Sequence, residues 1–400
     1  MLVLVINNGS TSSRFSLIDI SRNKILASGG AENIGFPSSY YKYENILGYK
    51  EKQSLEVKNN IEALKLMRKY LLDSKAGIIS SFSEIDTIGH RVVHGGEKYR
   101  TATIVDKHVL EDILSLSNIA PLHNKASYET INECTRLFPK VSNIAVFDTS
   151  FHLTIPEENF RYAINDELYQ KYKIRKYGFH GISYNYVLNK YISLTQRPKE
   201  NINTVICHLG GGSSICAVKK GLSYDTTMGY SPLSGMIMAS RSGSVDPSII
   251  PIIKEIYHMS DEEVLESLNT SSGYTAIAGE RDIKHIVERS IEGDKDAIFL
   301  RKMIDNDFKK HLLSMMANLN HVESIIMTGT ISSKNIEQRE MLLSNLEFFG
   351  IELDKNKNKL LFNQEGIIST DSSKIPIYVI PTNEELEIAR QCKKVLERSR

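Results

Sequence analysis

Residues 203–230, Asn-Thr-Val-Ile-Cys-His-Leu-Gly-Gly-Gly-Ser-Ser-Ile-Cys-Ala-Val-Lys-Lys-Gly-Leu-Ser-Tyr-Asp-Thr-Thr-Met-Gly-Tyr, decide the reading of the chain. An apolar run from Val205 to Leu209 meets three glycines. A second run, Ile215 to Val218, follows, then a Lys219-Lys220-Gly221 turn and a third strand-like stretch toward Asp225. The pattern is strand, glycine loop, strand, tight turn, strand. Gly210, Gly211 and Gly212 can bring bare amides up to a ligand, and glycine accepts the backbone angles that turn successive N–H groups inward. Such a nest suits a phosphate.

The N-terminus repeats the plan. Leu2 to Ile6 is β-rich, Asn7-Asn8-Gly9-Ser10-Thr11-Ser12-Ser13 is a small polar loop, and Arg14 to Ile20 and Lys24 to Ser28 are further strands around a Ser21-Arg22-Asn23 turn. Two copies of one hairpin unit suggest two similar domains, with a phosphate chain held in a cleft between them. The chain has 400 residues, which favours two domains, and 41% hydrophobic content allows sizeable cores. The net charge of +1 argues for no particular partner, and without a long Lys/Arg block a nucleic-acid role has little support. Neither a signal peptide nor a bilayer-spanning run is visible, so a soluble, cytoplasmic protein is expected. Cys134, Cys207, Cys216 and Cys392 lack zinc spacing and read as reduced, mostly buried thiols.

Outward from the hairpins, strands and helices alternate, which defines an α/β class. Residues 31–56, with Tyr40, Tyr41 and Tyr43, read as an irregular polar meander. Ile61, Leu64, Met67 and Leu71 mark a helix over about 57–74. Ile85 to Val93 is a buried strand; helices are expected over Val109 to Leu116 and Ala126 to Leu137. Ile144 to Phe147 is a strand with Asp148 at its end, where α/β folds place ligands. Lys176 to Gly181 forms a compact loop before a helix at about 183–193. Further helices are expected from Pro247 to about 258, after a Ser260/Glu263 capping box, and over about 293–320. Ser324 to Thr328 and Ile375 to Ile380 are strands. Thr382 and Glu385 have capping-box spacing for the last helix, which would leave Glu384 to face a ligand or metal.

No P-loop, nucleophile elbow or His-Glu-x-x-His helix is present. The candidates are loop residues: Arg91 at a strand end, His123 in Pro-Leu-His-Asn, Asp148 in Phe-Asp-Thr-Ser-Phe-His, His180 in Gly-Phe-His-Gly, Arg241 in Ser-Arg-Ser-Gly, and Glu384 at a helix start. Arginine offers a planar fork of donors to phosphate or carboxylate, and carboxylates such as Asp148 and Glu384 suit Mg²⁺. Each residue taken alone also fits a structural role, as an ion pair, a core histidine or a cap.

Together these loops resemble the acetate kinase family of the acetate and sugar kinase/Hsp70/actin superfamily. The matching segments are residues 7–13, 90–97, 120–124, 147–152, 177–181, 207–214, 225–229 and 241–243, with Asp246-Pro247 and Thr382-Asn383-Glu384-Glu385, in family order over essentially the whole chain. The resemblance implies two similar actin-like/ribonuclease H-like domains with a cleft between them. Residues 1–150 plus a helix at 385–400 would form the N-terminal lobe, and 151–384 a nucleotide-binding and dimerisation lobe. It implies reversible transfer between ATP and acetate, giving ADP and acetyl phosphate, with Mg²⁺ or Mn²⁺ and a homodimer. By similarity Arg91 would hold the acetate carboxylate. Asp148, His180, Arg241 and His123 would be catalytic, and Asn7 and Glu384 would bind metal. Val93, Leu122, Phe179 and Pro232 match the family's pocket for the methyl group. Phosphate and nucleotide would meet Ser10, Ser12, Arg14, His208, Leu209, Gly210, Gly211, Gly212, Glu280, Arg281, Thr330, Ile331 and Ser332.

The donor side departs from the family pattern. Gly211 stands where asparagine is usual, and Arg14 where lysine is. Gly279 stands where an aspartate is expected, and Thr330-Ile331-Ser332-Ser333-Lys334 replaces Gly-Ile-Gly-Glu-Asn. A pyrophosphate or other nucleotide donor, and a non-catalytic nucleotide-binding module, therefore stand beside the ATP-dependent reading.

Overall fold

The computed structural model describes residues 1–9 and 12–398, without the side chains of residues 118, 121 and 122. The chain divides into two compact units, Met1–Ser150 with Asn383–Arg400, and Phe151–Thr382.

In the first unit, β1 (Leu2–Asn8), β2 (Ser12–Asp19), β3 (Lys24–Glu32), β4 (Tyr40–Asn45) and β5 (Lys50–Ser54) form an antiparallel run. Beyond β1, β6 (Thr87–Val92) and β8 (Ser142–Phe147) lie parallel to it, and β7 (Thr103–Ile104) closes the far edge. The sheet order is β5-β4-β3-β2-β1-β6-β8-β7. Residues 31–56 are thus largely strand rather than an irregular meander. Tyr41, Tyr43 and Asn45 are buried while Lys42 and Glu44 are exposed, the alternation of a half-buried strand. Tyr70 stacks on Tyr41 and Tyr43 from the helix Asn60–Leu71, whose Leu64, Met67 and Leu71 close the core.

In the second unit, β9 (Thr204–Leu209), β10 (Ser213–Lys219) and β11 (Leu222–Thr226) are antiparallel neighbours. β12 (Ser324–Thr328) and β14 (Ile377–Val379) run parallel to β9, with the two-residue β13 (Gly366–Ile367) on the edge. The order β11-β10-β9-β12-β14 repeats β3-β2-β1-β6-β8 of the first sheet. β9 and β12 are buried throughout, as inner parallel strands must be. The helix Lys295–Ala317 lays Leu300, Ile304, Phe308 and Leu312 into this core. All four cysteines are buried, unpaired thiols. Among the described residues no helix is long and apolar enough to cross a membrane.

Helix boundaries correct two expectations. One helix runs Pro121–Leu137, so His123 lies in its first turn rather than in a loop before it. At the last helix, Glu384–Arg398, the side-chain cap is Asn383, whose Oδ1 accepts from the Leu386 amide. Thr382 is instead drawn to Ser183, which donates to its hydroxyl at 2.8 Å. No Thr382/Glu385 capping box forms, and the Glu385 carboxylate accepts from the Asn7 side-chain amide at 3.4 Å. The Ser260/Glu263 box does form.

Arg339, on the helix Ile336–Leu342, is the bulkiest fully buried side chain. Its guanidinium donates to Asn358 Oδ1 and to the carbonyls of Ser332, Asn358 and Leu361, at 2.6–3.0 Å. Burial lowers its pKa to about 10, with Glu337 opposing. It ties the short helix Gly329–Lys334 after β12 to the segment around residues 358–361. Arg339→Met strands those acceptors and should cost the second unit about 3 kcal/mol of unfolding free energy in urea titration. A loss below about 1 kcal/mol would mean that water replaces the guanidinium easily.

Candidate functional site

In both units the candidate residues gather at the carboxyl ends of the parallel strands, where the backbone leaves the sheet and side chains stay unpaired by it. In the first unit β1 ends at Asn7-Asn8, β6 at Arg91-Val92, and β8 runs into Asp148. The C-terminal helix brings Glu384 to the same cluster.

Asp148 is fully buried. Its Oδ2 accepts from Arg91 Nε at 3.0 Å and Nη2 at 2.7 Å. Arg91 Nη1 donates to Asn7 Oδ1 at 3.2 Å. Burial alone would lower the Arg91 pKa, but the carboxylates of Asp148 and Glu384 outweigh it and hold the guanidinium firmly charged. Both arginine contacts fall on one oxygen, so Asp148 Oδ1 is buried without a hydrogen-bond partner. The Glu384 pKa is raised to about 7. Burial is the largest cause, the Arg91 charge opposes it, and the Asp148 and Glu385 carboxylates add to it.

A partnerless buried carboxylate oxygen beside a second carboxyl that resists ionisation is a site short of positive charge. Mg²⁺ fits that deficit, because it takes hard oxygen donors and is held through one or two carboxylates plus water and substrate phosphate. Among the described residues no group of three His, Cys, Asp or Glu is arranged as a cation cage. The Asn7 oxygen is occupied by Arg91, so a metal there would compete with the guanidinium.

Asn124 receives the His94 amide at 3.0 Å and donates to the His94 carbonyl at 2.9 Å, fixing the loop after β6 against the turn that carries His123. His123 is half-buried and Val93 is buried. Ser10 and the Leu122 side chain lie outside the described residues. Arg14 Nε donates to Glu32 at 2.7 Å, on the sheet face, and Ser12 opens β2.

In the second unit the glycine loop 210–212 joins β9 to β10, as read from sequence. Gly211 is exposed in open space. A Cβ on Gly212 would lie 3.2 Å from His180 Nε2 and 3.4 Å from Arg241 Nη1. A histidine and an arginine distant in sequence thus meet over one residue where an added methyl group would fit tightly. His180 has a left-handed backbone, φ 59°, at the start of the helix Gly181–Thr195. Its Nδ1 pairs with Ser214 Oγ at 2.9 Å, and its ring stacks on His208 at 4.2 Å. Ser183 donates to Thr382, so it accepts from His208 Nδ1–H at 2.8 Å, which fixes the His208 ring orientation. Arg241 Nη1 donates to the Pro232 carbonyl at 3.2 Å.

One supporting residue went unassigned in the sequence. His152 is buried, donates from Nε2 to the Phe179 carbonyl at 2.8 Å, and receives the Ser223 hydroxyl at Nδ1. Burial lowers its pKa to about 4, against the Phe179 bond, so it stays neutral and anchors the residue before His180. Only its aromatic neighbours signal burial.

A groove of about 890 Å³ continues from Gly210 and Gly211 past Thr330, Ile331, Arg281 and Phe362. Ser332, next to Ile331, is fully buried, with its carbonyl on Arg339 and its hydroxyl without a hydrogen-bond partner. Glu280 curls back onto the amides of Arg281 and Asp282 and onto His285, while Arg281 reaches the Thr270 carbonyl.

One strand order used twice, with a charged cluster or a glycine nest at the strand ends of each copy, defines a duplicated ribonuclease H-like, actin-like α/β protein. Within that class the chain belongs to the Acetokinase family, whose model matches residues 2–390. It is 43% identical over 399 residues to the acetate kinase of Thermoanaerobacterium thermosaccharolyticum, covering 99% of both chains. The crystal structure of Porphyromonas gingivalis acetate kinase matches with a TM-score of 0.90 at 32% identity, over 99% of each chain. A propionate kinase from Francisella tularensis matches with a TM-score of 0.90 at 35% identity, over 98% of each.

The Glu384 environment predicts a pH signature. Its carboxyl ionises near 4.5 when unfolded and near 7 when folded, so the folded state keeps a proton the unfolded chain has lost. Stability therefore falls as pH rises through that window. Without divalent cations, Glu384→Gln should be more stable than the parent above pH 7 by about 1–2 kcal/mol after screening, the gain vanishing below pH 4.5. Equal denaturation curves at pH 8 would place Glu384 in ordinary solvent.

Proposed function

We propose that this protein transfers a phosphoryl group reversibly between ATP and acetate, giving ADP and acetyl phosphate, with Mg²⁺ as the required cation. The observation that carries the reading is the Arg91–Asp148–Glu384 cluster, a cation-deficient site in a chain whose residues 2–390 match the family model. Acetate is ionised at neutral pH, so the acceptor needs no general base. What remains is alignment and charge neutralisation. Arg91 Nη1 holds only the longer bond to Asn7 and is the donor to turn onto the acetate carboxylate. Asp148 keeps the other two guanidinium nitrogens in place. Asp148 Oδ1 and Glu384 would hold Mg²⁺, and the ion would supply positive charge for the phosphate oxygens.

On the donor side the amides of 210–212 receive phosphate, and His180 and Arg241 stabilise the transferring group, His180 oriented by Ser214 and His208 by Ser183. The groove beyond Thr330 has an apolar wall of Ile283, Val287, Ile331 and Phe362, fit for a nucleoside and left unfilled by pyrophosphate. Val93, Leu122, Phe179 and Pro232 match the residues that the family uses for the methyl group, and propionate is the poorer substrate, by the roughly 1–3 kcal/mol that one methylene is worth, about ten- to two-hundredfold.

The protein works as a cytoplasmic homodimer. The helix Ile249–Tyr257, Ile-Ile-Pro-Ile-Ile-Lys-Glu-Ile-Tyr, has no buried residue, and Ile252, Ile256 and Tyr257 are more than half exposed. A second copy of the chain is the occupant that covers this face.

A hydroxamate assay with acetate, Mg²⁺ and either ATP or pyrophosphate tests the reaction. Product with ATP is expected; product with pyrophosphate alone, or with neither donor, would refute it. Arg241→Ala should lower kcat at least about a hundredfold, as for a lost transition-state charge partner, with unchanged unfolding. A near-normal kcat would remove Arg241 from the reaction.

A further inference from the structure

Side chains alternate along a strand, so Gly89 and Arg91 of β6 point to the same face. The helix Glu384–Arg398 lies on that face, against β1 and β6. Glu384, Ile388 and Cys392 are four residues apart and form one stripe along it. Ile388 and Cys392 are fully buried. A Cβ at Gly89 would lie 2.6 Å from Cys392 Sγ and 2.7 Å from Ile388 Cγ2, closer than such contacts can be. The backbone of β6 is thus the floor on which the stripe rests. Two residues of strand advance about 6.6 Å and one helical turn about 5.4 Å, so the two steps nearly match. With Ile388 and Cys392 seated over Gly89, Glu384 arrives level with Arg91.

We propose that Gly89 is a positioning residue: its missing side chain sets the depth at which the C-terminal helix seats, and that depth places the Glu384 carboxyl beside Arg91 and Asp148. The inference rests on the reading of Glu384 as a cation-holding residue. Gly89 touches no substrate. A methyl group there lifts the stripe and draws Glu384 away from the cluster, while the rest of the sheet keeps its pairing.

The test combines kinetics with thiol mapping on the full chain. Gly89→Ala should raise the Mg²⁺ concentration for half-maximal activity at least about tenfold, as for loss of a supporting partner, with KM for acetate changed less than about twofold. Alkylation by a small thiol reagent, mapped by mass spectrometry, should label Cys392 faster than in the parent while Cys134 stays protected. The triple variant Gly89→Ala/Ile388→Ala/Cys392→Ala restores the room and should bring the Mg²⁺ requirement back to within about threefold of the parent. If Gly89→Ala exposes all cysteines, the triple variant decides: a folded triple variant that still needs tenfold more Mg²⁺ overturns the proposal. A protected Cys392 with unchanged Mg²⁺ dependence in Gly89→Ala also overturns it. Glu384→Gln separates the two levels: if it raises the Mg²⁺ requirement and Gly89→Ala does not, the metal reading stands and the positioning role alone falls.

Discussion

Arg91 and Asp148 form the pair on which the first unit's chemistry depends. A fully buried carboxylate would ordinarily be expelled or neutralised. Here two guanidinium nitrogens grip one of its oxygens, and the arginine stays charged because the carboxylates around it outweigh its own burial. The grip is one-sided. It leaves the second oxygen with no donor and a neighbouring carboxyl reluctant to ionise. The cluster is therefore a preorganised deficit of positive charge, built at the one place in a parallel sheet where strand ends leave side chains free of the ladder.

The second unit meets a different demand with the same scaffold. Its strand ends gather the amides of a glycine loop, two stacked imidazoles and a guanidinium. The serines behind them, Ser183 and Ser214, set the ring orientations. One strand order thus serves opposite electrostatics, and the difference lies in a handful of loop residues.

Much of this is legible in the chain. Apolar runs ending at glycine locate β9 and β12 almost residue for residue, because buried parallel strands leave an unbroken hydrophobic signature, and the run Ile215 to Val218 marks the middle of the antiparallel β10. Tyr41 and Tyr43 were harder: an amphipathic strand alternating with lysine and glutamate looks like polar coil unless its period is counted. The Thr382/Glu385 spacing met a local rule, but the tertiary bond from Ser183 takes the Thr382 hydroxyl and Asn383 caps instead. Arg339 and Gly89 carry no local signal. A buried arginine satisfied by carbonyls and a glycine at a helix–sheet contact are defined only by what lies across from them. The loops of the site were readable through their resemblance to a family; the partners of Asp148 and His180 were not, since hydrogen bonds leave no periodicity.

The helix that carries Glu384 and Glu385 belongs to the sheet that begins at Leu2, and Asn7 and Glu385 touch across 378 positions of chain. The second unit lies wholly within that span. A ribosome must therefore finish both sheets before it makes the last carboxylates of the first. Until then a nascent chain carries Arg91 and Asp148 but not Glu384, so the cluster is assembled only once the C-terminal helix has been made.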